Sequence, residues 1–151
     1  MKEKAFYNFI RYYVFPRHIE IMQKRQWMRR VNVAEQAEKV DEELNEFLGA
    51  TKSAPGLLTF ITYHLADDLF VELYQEFIKD TKESEMADVI LAKCYLMYIE
   101  IWPTPVCFPE IHPIWFIDQY FENIVKLSSG IKNIKLHLKA KMRYNSLRKD
   151  W

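Results

Sequence analysis

Only three glycines occur in 151 residues, and alternating β-branched runs are scarce. Both absences weigh against a sheet-built fold, whose turns and strands need them. Cysteine is equally sparse: Cys94 and Cys107 lie in no CxxC or Cys/His spacing that would close a zinc site, which points to a reducing, cytoplasmic setting. No run reaches the roughly 18 apolar residues of a membrane span. The aromatic N-terminus MKEKAFYNFIRYYVFP is broken by Arg11 and lacks both the apolar core and the small-residue cleavage site of a signal peptide, so no membrane partner is expected. No nucleic-acid partner is expected either, although the balance of 21 basic and 21 acidic residues, which gives neither a basic field nor acidic repulsion, by itself decides nothing about partners.

What the chain has is core material. Half of its residues are hydrophobic and 15% aromatic, enough for one domain over residues 1–151. Apolar residues recur at spacings of three and four, which predicts an all-α bundle of about five to seven helices. A short aromatic helix over 3–15 should stop at Pro16, followed by a basic one over 18–30. Asn32 caps a helix from Val33 to about Ala50, closed by Gly49 and the Ser53-Ala54-Pro55-Gly56 turn. Leu58, Ile61, Leu65, Leu69, Leu73 and Phe77 form a core stripe over 57–79, and a helix from about Ser84 to Ile101 follows. Pro103, Pro105, Pro109 and Pro113 make 101–113 a stiff connection, and helices over 114–127 and 131–148 finish the chain.

One helix carries an acid where none is expected. From Met86 to Ile101 nearly every position is apolar or aromatic, as in a buried helix, yet Asp88 shares a face with Ala92, Tyr95 and Ile99, and Glu85 lies a turn before it. A carboxylate taken from water must be protonated, paired or bound to a metal; the competing reading puts both acids in an exposed first turn capped by Ser84 or Thr81. A second set, Glu42, Glu43 and Glu46, stands at the edge of the stripe Val33, Ala37, Val40, Leu44 and Phe47, and alone it reads as a solvated face. Paired across a bundle, however, ExxE and ExxD would gather four carboxylates, a charge that needs a cation, and hard oxygen ligands select Mg²⁺, Mn²⁺ or Ca²⁺ over zinc. Lys141, Asn145 and Arg148 cluster on the last helix as donors for phosphate oxygens, or else form an ordinary basic helix end.

EELNEF at 42–47, ESEMADVILA at 83–92 and KMRYNSLR at 141–148 together resemble, in the same order, the three motifs of the MazG-like all-α NTP pyrophosphohydrolases. The resemblance implies a Mg²⁺-dependent enzyme, with Mn²⁺ as an alternative, that cleaves an NTP or dNTP to its monophosphate and pyrophosphate. Glu43, Glu46, Glu85 and Asp88 would hold the metal between two facing helices; Lys141, Asn145 and Arg148 would contact the substrate. Glu42 or Glu46 would take the proton of the attacking water. A homodimer or tetramer is implied as well. Residues 47–84 separate the acidic motifs by more than the short turn of compact members, so 57–79 reads as an inserted helix, and Tyr95 stands where many relatives have another acid.

Trp102, Phe108, Trp115 and Phe116 are candidates for stacking on a base, Cys94 is a core residue, and the four histidines form no ligand spacing. Two alternatives stay open: the same chemistry on dUTP, dCTP or a phosphoribosyl nucleotide, and a non-catalytic helical interaction module.

Overall fold

The computed structural model describes residues 2–25, 32–56, 64–101 and 114–148, and among these it is helical, with no strand. Helix α1 (Lys2–Phe9) runs through a π-helical turn, Ile10–Val14, into α2 (Phe15–Arg25). The stop expected at Pro16 does not occur. A proline lacks the N–H of the helical ladder and crowds the carbonyl four residues back. The wide turn just before it is the kind of distortion that absorbs such a misfit without ending the helix. The rest of the predicted second helix lies outside the described residues.

Helix α3 (Val33–Gly49) begins as the sequence predicts: the Asn32 side chain accepts a hydrogen bond from the Glu35 backbone N–H at 2.8 Å. After the Ser53 to Gly56 stretch, α4 (Asp67–Leu73) continues into a second π turn, Tyr74–Ile78. Here the expected stripe holds in part: Leu65 and Leu73 are half-buried against the core as predicted, but its deepest positions are shifted by one residue. Leu69 and Phe77 are each 44% exposed, while Phe70, Tyr74 and Ile78 are fully buried with Ala140 and Tyr144; Leu58 and Ile61 lie outside the described residues. Both sets have the same four-residue spacing, so periodicity could not choose between them. The aromatic contact does: the Tyr74 and Tyr144 rings stack at 4.5 Å.

Helix α5 (Lys82–Ile101) is the axis of the bundle, packed by α2, α3, α6 (Ile114–Leu127) and α7 (Ile134–Leu147). Thr81 caps it, its Oγ1 accepting from the Ser84 N–H at 3.3 Å. Met86, Val89, Ile90, Cys94 and Met97 of α5 join Ile10, Val14, Phe121, Ile124, Leu138 and Met142 in the main core, so Cys94 is the core residue expected. Buried His18 is held near pKa 4 by desolvation and is therefore neutral there. Gln36 ties α3 to α5 by donating to the Ala92 carbonyl at 3.0 Å. At the N-terminal end, Arg11 and Tyr7 both bond Asp118 of α6. Helix α7 starts three residues later than predicted, because Gly130 (φ 87°) and Asn133 (φ 57°) turn the chain through left-handed backbone first.

Candidate metal centre

The α3–α5 contact places the two acidic motifs face to face. Glu43 projects from α3, and Glu85 and Asp88 project from α5 one turn apart. One carboxylate oxygen from each of the three lies within 4.8 Å of the others. The competing reading of an exposed first turn does not hold for Glu85, which is only 6% exposed, and the Asp88 side chain is 19% exposed. Glu46, one turn beyond Glu43, is exposed at the rim and within hydrogen-bonding reach of Glu43 and Glu85. Glu42 is not brought into the group: it faces solvent, with its carboxylate 3.9 Å from Lys39 Nζ.

Two cations enter this acidic group. Lys39 Nζ lies 2.9 Å from Glu43 Oε1, and Lys141 Nζ, buried on α7, lies 3.0 Å from Asp88 Oδ1. The Lys141 ammonium also sits against the stacked rings of Tyr74 and Tyr144, at 5.6 and 5.4 Å from their centroids. Burial alone would lower its pKa, but the Tyr74 phenol and the Asp88 carboxylate hold it above the ordinary lysine value. Tyr74 is itself fixed by a 2.8 Å hydrogen bond shared with Ser84.

These cations do not satisfy the acids. Glu43 Oε2 and Glu85 Oε2 are buried and accept no hydrogen bond. Burial, reinforced by the charges of Asp88, Glu46 and Glu43, pushes the Glu85 carboxyl up to about 8 against the pull of Lys141. Asp88 rises to about 6, chiefly by burial, with Lys141 opposing. Glu46 is raised for the same first reason. Buried carboxylate oxygens without donors are what a hard divalent cation would satisfy, and an all-oxygen set suits Mg²⁺, Mn²⁺ or Ca²⁺. The residues present therefore fit a metal.

Asn145 is buried one turn after Lys141, and Arg148 lies just past the end of α7, where its charge reaches both Asp88 and Lys141. Of the aromatics considered for base stacking, Trp102 and Phe108 lie outside the described residues, and Trp115 and Phe116 fall in the first turn of α6. Sequence reasoning missed Lys39, Tyr74 and Tyr144. The KxxxE spacing of Lys39 and Glu43 was a readable signal; the tyrosine pair was not, because it joins α4 to α7.

Over 116 residues, 74% of the chain, the sequence is 32% identical to the non-structural protein NS-S of Toscana virus, and it covers 31% of that protein. The chain thus spans about a third of the length of the curated relative it matches. No family model matches it, and no solved structure does. Among the described residues, no helix is long and apolar enough to cross a membrane.

Proposed function

We propose that this protein is a Mg²⁺-dependent nucleoside triphosphate pyrophosphohydrolase, able to use Mn²⁺, that converts an NTP or dNTP to its monophosphate and pyrophosphate. The observation that carries the reading is the convergence of Glu43, Glu85 and Asp88 with two buried oxygens that nothing donates to. A bound Mg²⁺ would neutralise phosphate charge and make hydroxide available near neutral pH. Glu46 at the rim is the better candidate than Glu42 to take the proton of an attacking water, since it adjoins the cluster, whose burial and charge raise its pKa. Lys141, Asn145 and Arg148 line the α7 side and supply the donors for phosphate oxygens. In this reading the enzyme works in the cytoplasm as a dimer or tetramer.

A second reading has its own support. The Lys39–Glu43 and Lys141–Asp88 pairs already bind charge within α3 and between α5 and α7. The acids would then be an ionic joint in a non-catalytic helical interaction module. Pyrophosphate release separates the two. Wild type should release it from at least one member of an NTP and dNTP panel that includes dUTP, dCTP and a phosphoribosyl nucleotide. Asp88→Asn and Glu43→Gln, shown to be folded by circular dichroism, should not. Absence of release from every nucleotide with Mg²⁺ or Mn²⁺ would leave the interaction module standing.

A further inference from the structure

The balanced net charge of the chain conceals two exposed faces of opposite sign. On the outer side of α4 and its π turn, Asp68, Glu72 and Glu76 are exposed, and Leu69 and Phe77 stand among them, each 44% exposed. The other side of the same helix is the buried row Phe70, Tyr74 and Ile78.

The second face lies where α1, the first π turn and α2 meet α7. Phe9 and Tyr13 stack at 5.1 Å. Lys135 and Lys139 lie 5.5 and 5.8 Å from the Phe9 ring centroid, Lys139 lies 5.5 Å from that of Tyr13, and the Arg17 guanidinium lies 4.6 Å from Tyr13. Lys132 is exposed in the turn before α7, and Tyr12 is 66% exposed. The two faces cannot meet within one molecule. Helix α7 stands between them, with Lys135 and Lys139 leaning on Phe9 and Tyr13 while Ala140 and Tyr144 pack on the α4 side.

We propose that the acidic face of α4 on one copy docks on the basic aromatic face of a second copy, head to tail. The complement to each face is present on the same chain: three acids flanked by a leucine and a phenylalanine, against Arg17, Lys135 and Lys139 over stacked rings. Cationic groups held on aromatic planes are the kind of anchor that carries interface energy. A chain of zero net charge does not repel its own copies. Each docked pair leaves one face of each sign open, so assembly continues beyond a dimer unless the geometry closes a ring. The contact uses none of the acids of the metal centre and stands or falls apart from the proposed chemistry.

Light scattering of the full chain across a concentration series provides the test. At low salt the weight-average mass should rise above the 18.3 kDa of one chain. It should return to that value near 1 M salt, where the screening length falls to about 3 Å. Lys135→Glu with Lys139→Glu, and separately Glu72→Lys with Glu76→Lys, should each remain at the monomer mass. An equimolar mixture of the two should assemble again, since each reversed face then meets its opposite. Should the lysine variant lose its circular dichroism spectrum, the Glu72 and Glu76 variant, altered only at exposed positions, decides alone. A wild type that stays monomeric at low salt overturns the proposal. So does a mixture that fails to assemble although both variants are folded. Assembly abolished by nuclease also overturns it, because the basic face would then be holding nucleic acid.

Discussion

Removing the charge of Glu85 should change how stability depends on pH. In the metal-free folded protein the Glu85 carboxyl titrates near 8, against 4.5 for an unperturbed glutamate, because it is buried among other acids. A carboxyl raised in this way contributes fully below its unfolded pKa and loses that contribution as pH rises through the folded value, since the native state holds the extra proton. Between pH 6.5 and 8 the unfolded chain gives up this proton throughout, while the folded one begins to only at the top of the window. At about 1.4 kcal/mol per pH unit, less the partial ionisation of the folded group, the loss is about 1–2 kcal/mol. His18 and His137, lowered to about 4 by burial, act in the opposite direction: their contribution is lost as pH falls below about 6.5. The histidines titrate alike in wild type and Glu85→Gln, so the difference between the two proteins reports Glu85 together with the acids whose charges act on it. For a chain of this size the melting temperature of wild type relative to Glu85→Gln should fall by about 3–6 °C from pH 6.5 to 8, followed by circular dichroism with a chelator present. Mg²⁺ should restore the lost stability, more at pH 8 than at 6.5, because it binds the ionised acid. A difference between the two proteins that stays flat across this window would refute the reasoning.

Replacing Lys141 by Met leaves Asp88 buried without its ammonium partner and should cost about 3 kcal/mol in urea unfolding near neutral pH; a cost below about 1 kcal/mol would show that the pair is solvated. Tyr144→Ala removes a fully buried ring stacked on Tyr74 and should cost about 3–5 kcal/mol by the same measurement. Glu42→Gln should leave Mg²⁺ affinity measured by calorimetry within about twofold of wild type, whereas Glu85→Gln should weaken it by about tenfold or more. Equal losses in the two would return Glu42 to the site.

The parts of the fold that local chemistry dictates were legible in the sequence. Asn32 caps α3 as its side chain predicts, the proline-bounded helix at 114–127 has the expected limits, and the apolar run after Ser84 does form the buried helix. The facing of Glu43 with Glu85 and Asp88 was readable because three-residue spacing fixes a shared helical face and a buried helix cannot strand its acids. What escaped depends on contacts distant in the chain. Whether Leu69 or Phe70 turns inward is settled by Tyr144, and whether Pro16 ends a helix is settled by a change in helical winding upstream. Glu42 stands apart from the three converging acids because adjacent helical positions diverge by about 100°, and Glu43 takes the one that faces α5.

Mn²⁺ titration followed by electron paramagnetic resonance shows whether the acids between α3 and α5 hold a divalent cation. Wild type should remove free Mn²⁺ signal with saturable stoichiometry near pH 7.5, Mg²⁺ should compete for the same site, and Glu85→Gln and Asp88→Asn should each weaken the uptake by about tenfold or more while retaining the helical spectrum. Folded wild type that leaves the free Mn²⁺ signal unchanged, or variants that take up the ion as wild type does, would contradict a metal site there.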